Sequence, residues 1–243
     1  MAWVTGAGSG IGKEVARRLA GDGWRVAVSA RSAEDLESLA ASVPGVFPFP
    51  LDVTDGEAVA AAVGRVEEEL GAIDLAVLNA GTYKPVSAKG FSAAAYRANV
   101  EVNLMGTVNC LEALIPRMMS RRAGHIAVVS SLTGYVGLPS AAAYGATKAA
   151  LINMCQALEP ELEAAGVKMS VINPGFVDTP LTRKNDFPMP FLIGVEDAGE
   201  RVMRGLRSGK FEIAFPLRMS IAIRLLAALP HGLRLAITRR MVR

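Results

Sequence analysis

The chain has 243 residues, 51% of them apolar and 20% charged, a globular composition with ample material for a large core. Its only histidines, His125 and His231, all but exclude a histidine-based triad or a multi-histidine metal site. The net charge of +3 is too small to argue for nucleic acid, but it is uneven: residues 201–243 carry +9 and the remainder −6.

No stretch reads as a linker, so residues 1–243 are expected to form one domain. Cys110 and Cys155 stand at no metal-ligand spacing inside helix-like runs, and the expectation is free thiols, buried or half-buried, in a reducing compartment. No metal is expected. Met1-Ala2-Trp3 enters a strand at once, with no signal-peptide pattern, and no uninterrupted apolar run is long enough to span a bilayer. A cytoplasmic protein is expected.

In chain order, Ala2-Trp3-Val4 is a short apolar strand that leads into Thr5-Gly6-Ala7-Gly8-Ser9-Gly10-Ile11-Gly12. The strand is short enough that a natural start a few residues earlier is expected. Val15, Ala16, Leu19 and Ala20 then give a helical stripe, closed by Gly21 and Gly23. Strand, glycine turn and helix in that order make a dinucleotide-binding loop: the turn lets backbone N–H groups and the helix N-terminus face a pyrophosphate. The next strand, Arg25–Ser29, is followed by Arg31, with no acid before Glu34. At that strand end an acid would accept a hydrogen bond from a free ribose 2′-hydroxyl, whereas an arginine pairs with a 2′-phosphate, so NADP(H) is favoured over NAD(H).

The alternation continues with helix Ala33–Ser42, strand Gly45–Phe49, helix Gly56–Leu70 and strand Ile73–Leu78. Near-continuous apolar strands between helices predict a Rossmann-like, doubly wound parallel α/β sheet of about seven strands, with helices on both faces. Strand four ends in Asn79-Ala80-Gly81, small enough for backbone to approach a ligand. A long helical region from about Ser92 to Ser120 has Asn103, a poor helix former, in its middle.

Strand His125–Val129 delivers Ser130 and Ser131, then a loop punctuated by glycine and proline, then Tyr144 and Lys148. If this last part opens a helix, the four-residue spacing stacks phenol and ammonium one turn apart on one face. The positive charge would lower the Tyr144 pKa toward useful acid/base chemistry, and a hydroxyl from the serine pair would share a reacting oxygen with the phenol. Pro160 lies twelve residues beyond Lys148, so a kink there should spare the pair. Strand Val167–Ile172 leads to Asn173-Pro174-Gly175, followed by a lid segment at 181–195.

Helix Glu196–Ser208 and strand Phe211–Phe215 should complete the sheet. Residues 217–243 then read as a C-terminal helical extension, two short amphipathic helices broken at Pro230-His231-Gly232. Their charge comes from Arg218, Arg224, Arg234, Arg239, Arg240 and Arg243, with no acid among them. Such a pair suits either peripheral contact with anionic lipid or packing over the lid or a neighbouring subunit, and packing is the favoured reading.

In this order the motifs resemble the short-chain dehydrogenase/reductase family over nearly the whole chain, in its NADP-preferring branch. The resemblance places Gly6, Ser9, Gly10, Ile11 and Gly12 in the cofactor loop, Asp52 and Val53 at the adenine, and Asn79, Ala80 and Gly81 beside it. It places Pro174 and Gly175 near the nicotinamide, with Thr179 at a carboxamide or phosphate contact. The family's tetrad falls on Asn103, Ser131, Tyr144 and Lys148, the serine being chosen over Ser130 because it lies thirteen residues before the tyrosine. Leu78 and Thr147 depart from the commoner residues without disturbing the tetrad.

The implied reaction is hydride exchange between a nicotinamide cofactor and a carbonyl or alcohol. Tyr144 moves the proton, Ser131 steadies the oxygen, and Lys148 holds ribose hydroxyls. Asn103 keeps a water that links Lys148 to solvent. A homodimer or homotetramer is implied too. Tyr83, Leu132, Leu138, Phe176, Phe187 and Met189 are expected to wall the substrate pocket. They favour a medium or large apolar carbonyl or alcohol, because the only positive charge there is Arg183 and Lys184. The alternatives are a lipid-type ketone reductase at a membrane surface and a catalytically idle dinucleotide sensor.

Overall fold

Seven short apolar runs lie side by side as one parallel sheet in the order β3-β2-β1-β4-β5-β6-β7 in a computed structural model, which describes residues 1–184 and 187–242, apart from the Lys184 side chain. The strands are β1 (Ala2–Thr5), β2 (Val26–Ser29), β3 (Val46–Pro48), β4 (Leu75–Leu78), β5 (His125–Val129), β6 (Lys168–Pro174) and β7 (Glu212–Phe215). Between them run α1 (Gly10–Gly21), α2 (Ala33–Ser42), α3 (Gly56–Leu70), α4 (Ala93–Val100), α5 (Gly106–Ser120), α6 (Ala142–Ala164) and α7 (Val195–Ser208). The tail adds the two predicted helices, α8 (Leu217–Ala228) and α9 (His231–Arg239), but the break falls at Leu229 and Pro230, and His231 and Gly232 open α9. The predicted α/β architecture is the observed one.

Period-two alternation builds two cores from each strand. Trp3 packs with Ala76, Leu78, Ile126 and Val128 on the face covered by α3, α5 and α6. Ala2 and Val4 pack with Leu75, Val77 and Ala127 on the face covered by α1, α2 and α7. Both thiols are buried, which pushes Cys110 and Cys155 up to about 12 and makes them poor nucleophiles near neutral pH.

The element bounds differ from the predicted ones by one or two residues at most ends. The helical region around Asn103 holds a larger surprise: α4 and α5 are joined through a π-helical turn, Glu101–Met105, that contains it. Such turns widen a helix locally and often mark functional positions. Pro160 neither splits nor ends α6, which runs unbroken for 23 residues. Because β1 is followed outward by β2 and β3, and the chain then crosses back to β4, the connections diverge at the carboxyl ends of β1 and β4. This switch point is where ligands bind in open parallel sheets.

Candidate active site

A cleft of about 930 Å³ opens along the carboxyl ends of the strands. Its lining runs from Arg31, Asp52 and Val53 past Gly6, Ser9, Gly10 and Ile11 to Asn79, Ala80 and Gly81. It ends at Ser131, Tyr144, Lys148, Pro174, Gly175 and Thr179. Every predicted cofactor residue except Gly12 therefore lines one cavity, at the upper end of the usual size for small-molecule pockets.

Gly12 sits under the cavity floor. A β-carbon there would fall 2.4 Å from Asn79 Nδ2 and 2.5 Å from the Gly6 carbonyl oxygen. The Asn79 amide donates to the Thr5 and Gly6 carbonyls, each at 3.1 Å, and the Thr5 hydroxyl accepts from the backbone N–H groups of Asn79 and Ala80. Thr5 and Asn79 thus lock the glycine turn to the end of β4. Ser9 holds the N-cap position of α1 but spends no side-chain bond on capping. The turn therefore presents glycine backbone, a hydroxyl and a helix N-terminus to the cleft, a donor set that fits a pyrophosphate.

At the far end Arg31 faces Asp52. The Thr54 backbone N–H donates to Asp52 at 3.0 Å and holds its carboxyl below the usual range, with Arg31 adding to the effect. Asp35, one turn into α2, also lines the cleft. Its carboxylate oxygen lies 3.5 Å from where a Gly8 β-carbon would be. Sequence reading passes over this acid, yet its position in the first turn of a helix capped by Ser32 is what brings it there.

The loop after β4 is held by two asparagines four residues apart. Asn103, fully buried, accepts from the Thr82 backbone N–H at 2.7 Å, and its amide donates to the Thr82 carbonyl and the Thr147 hydroxyl. Asn99, one turn earlier and equally buried, makes the same reciprocal pair with the backbone of Lys84. Asn99 was not singled out from sequence, although its spacing from Asn103 was the available signal. The Asn103 side chain is thereby committed to loop backbone and the Thr147 hydroxyl, and its own backbone carbonyl accepts from the Thr107 hydroxyl.

Ser130 and Ser131 part ways. The Ser130 hydroxyl donates to the Lys148 carbonyl at 2.7 Å and ties α6 to β5. Ser131 turns into the cleft, bonding the Pro174 carbonyl at 3.3 Å, the Thr133 hydroxyl at 3.0 Å and the Tyr144 phenol. Lys148 is 3% exposed, donates to the Val129 carbonyl at 2.8 Å, and lies 5.6 Å from the centre of the Tyr144 ring.

The expected lowering of the Tyr144 pKa is not found. Burial pushes the phenol up to about 12, against the smaller opposing pull of the Ser131 hydrogen bond, and burial brings Lys148 down to about 8. The ammonium sits over the ring and bonds a carbonyl, so desolvation outweighs any charge effect on the phenol.

The substrate wall is the least well anticipated part. Among the described residues lining the cleft, none of Tyr83, Leu132, Leu138, Phe176, Phe187 and Met189 appears, and Thr82, Lys84, Glu101, Val102, Pro180 and Leu181 stand there instead. Leu132 is a plain correction: it is fully buried, with its side chain near Gly175. Tyr83 does meet Tyr144, edge-on at 5.3 Å, and Phe176 meets Phe187 at 6.0 Å. Within the predicted lid, Asn185 and Asp186 lie outside the described residues, as does the Lys184 side chain, and so does Arg243 of the tail. Arg183 pairs with Asp178 at 2.7 Å. A second correction concerns the tail's charge, because Arg224 is balanced by Glu212 of β7.

A glycine turn opening a helix at the switch point of a parallel sheet places the protein among the Rossmann-like dinucleotide-binding folds. Residues 1–188 match the family model described as short chain dehydrogenase, and the chain belongs to that family of oxidoreductases. An uncharacterized oxidoreductase of Myxococcus xanthus is 38% identical over 244 residues, covering 99% of this chain and 96% of its own. A short chain dehydrogenase of Burkholderia cenocepacia, solved in complex with NADP, is 32% identical, with a TM-score of 0.84 over 100% of this chain and 97% of that one. A short chain dehydrogenase/reductase of Burkholderia phymatum, solved with NAD, has the same TM-score of 0.84 at 24% identity, covering 92% of this chain and 91% of that one. Shared fold therefore leaves the choice of cofactor to individual side chains.

Proposed function

We propose that this enzyme uses NADP(H) to interconvert a carbonyl and an alcohol, with Tyr144 as the group that gives and takes the proton. The observation that carries the reading is the convergence of Ser131, Tyr144 and Lys148 in the cleft floored by the glycine turn. The bound cofactor would supply or accept the hydride. Gly6, Ser9, Gly10 and Ile11 would bind its phosphates, Asp52 and Val53 its adenine, and Lys148 a ribose.

The substrate oxygen would accept hydrogen bonds from Ser131 and Tyr144 together, which favours the negative charge that grows on it. An alkoxide is a far stronger base than a phenolate, so a phenol that stays protonated through neutral pH can still deliver its proton to it. With Tyr144 at about 12 and Lys148 at about 8, both groups are protonated at neutral pH, which suits the reductive direction. Asn103 and Asn99 hold the loop at Thr82 and Lys84 that forms the near wall. Arg31 at the cleft's end supports NADP(H), and Asp35 beside Gly8 sets an opposing charge close by. The substrate class is a medium or large apolar carbonyl or alcohol, supported by the Tyr83 ring that packs edge-on against the Tyr144 phenol ring.

The test is NADPH consumption over a panel of steroids, fatty acyl carbonyls, quinones and aromatic aldehydes, run with the wild type and Tyr144→Phe. Turnover should fall by roughly a hundred- to ten-thousandfold in the variant while NADPH binding is retained. Unaltered turnover would remove Tyr144 from the mechanism, and binding without turnover on any substrate would favour the idle sensor.

A further inference from the structure

The tail concentrates apolar surface in a way the rest of the molecule does not. Eight of the thirteen large apolar side chains exposed among the described residues lie between Leu217 and Val242. On α8 the inner face is filled by Met219, Ser220 and Leu226, and Met219 packs against Gly175. Its outer face carries Leu217, Ile221 and Leu225 at four-residue intervals, hence one stripe, with Leu217 67% and Leu225 65% exposed. Leu233 and Ile237 repeat the interval along α9, and Met241 is exposed in the turn just beyond it. Within α9 only Thr238 is buried and Arg234 half-buried, and its other residues are exposed among the described residues.

Charge selects the occupant. Residues 217–242 contain no Asp or Glu, and among the described residues the one acid paired with them is Glu212, which is taken by Arg224. Arg218, Arg239 and Arg240 are exposed and form no ion pair among the described residues. A second copy docking the same face would set arginine against arginine without acids to relieve it. A bilayer with anionic headgroups offers an apolar interior for the leucines and negative charge for the arginines. No helix among the described residues is long and apolar enough to cross a membrane, so contact would be in the plane of the surface.

We propose that α8 and α9 form a peripheral docking surface for anionic lipid bilayers, with the Leu217-Ile221-Leu225 stripe and the Leu233-Ile237 pair entering the headgroup boundary. The reading stands apart from the reaction proposed above.

The test is co-sedimentation of the full chain with vesicles of phosphatidylcholine alone and of an equal mixture of phosphatidylcholine and phosphatidylglycerol. The wild type should sediment with the mixed vesicles, weakly or not at all with the neutral ones, and less as salt rises. A triple variant L217S/I221S/L225S and a charge variant R218E/R239E/R240E should each lose at least tenfold in partitioning. Unchanged circular dichroism and melting would show that they remain folded, as expected for substitutions of exposed residues. The proposal is overturned if the wild type ignores mixed vesicles. It is equally overturned if the serine variant binds them normally, or if that variant instead turns an oligomer into a monomer, which would make the stripe a subunit contact.

Discussion

At the carboxyl edge of the sheet, Asn103 spends both amide atoms and its carbonyl on partners within the chain, and Lys148 is buried against the Val129 carbonyl. About thirty-five to sixty residues beyond Thr182, the last cleft residue, the tail does the reverse: leucines stand in solvent, and Arg218, Arg239 and Arg240 form no ion pair among the described residues. The first region is fixed by its own hydrogen bonds, so its chemistry can be read from the chain alone. The second presents apolar and basic surface that the other described residues leave uncovered. The same residue types carry different meanings in the two places, because a leucine or an arginine is informative only through what surrounds it.

Glycine substitutions in the two regions should differ most. Gly12→Ala places a methyl within 2.5 Å of the Gly6 carbonyl and against the Asn79 amide, neither of which can move without opening the turn. We expect NADPH affinity to fall at least a hundredfold, with a stability loss of about 3 kcal/mol from overpacking. Gly232→Ala in α9 meets nothing within 4 Å. It should leave cofactor binding untouched and stabilise its helix by up to about 1 kcal/mol. Fluorescence titration with NADPH and thermal melts of both variants check this. Equal effects at the two positions would remove the contrast.

Arginine gives the second test. Arg31 lies at the cleft beside Asp52 and near the turn, whereas Arg218 faces solvent. On the NADP(H) reading, Arg31→Asp should weaken NADPH about ten- to a hundredfold and spare NADH, since a charge-assisted pair with the 2′-phosphate is replaced by repulsion. Arg218→Asp should change neither. If NADPH affinity survives Arg31→Asp, then Arg31 does not read the ribose, and Asp35 becomes the residue to examine.

How much of this was legible in advance follows the same division. The sheet was readable because its strands are apolar runs ending in glycine or small residues, and the reacting groups sit at those ends. Tyr144 and Lys148 needed only a helix to be brought together. Leu132 was misplaced because a loop residue's direction is decided by remote packing, here against Gly175. The direction of the Tyr144 shift was missed because charge pairing can be read from spacing, while burial and the exact seat of the ammonium cannot. Asn99 was passed over because its partner is loop backbone, so only its four-residue spacing from Asn103 marked it. Glu212 lies twelve residues from Arg224, and only the turn of the chain from β7 into α8 makes them a pair.

Besides Met219 packed against Gly175, that pair is where the two regions touch, and breaking it should change little. The Arg224 guanidinium bonds Glu212 and lies 5.5 Å from the centre of the Tyr135 ring. The Tyr135 hydroxyl donates to Glu212 and accepts from the Asn173 amide at 2.8 Å. Asn173 precedes Pro174, whose carbonyl accepts from Ser131. A connected path therefore runs from the tail to the proposed catalytic serine.

A path of contacts is not a coupling, and the energetics argue that this one is weak. Arg224 is half exposed, so the ion pair is worth at most about 1 kcal/mol. The buried links nearer the site, Asn173 to Tyr135 and Ser131 to Pro174, do not need it. Arg224→Met should lower the melting temperature by about 2–4 °C at most and leave kcat/KM within about threefold of wild type. Steady-state kinetics beside a thermal melt measure both. A tenfold fall in turnover with NADPH affinity intact would mean that the tail is wired into the site. The contrast between a self-sufficient cleft and an outward-facing extension would then have to be given up.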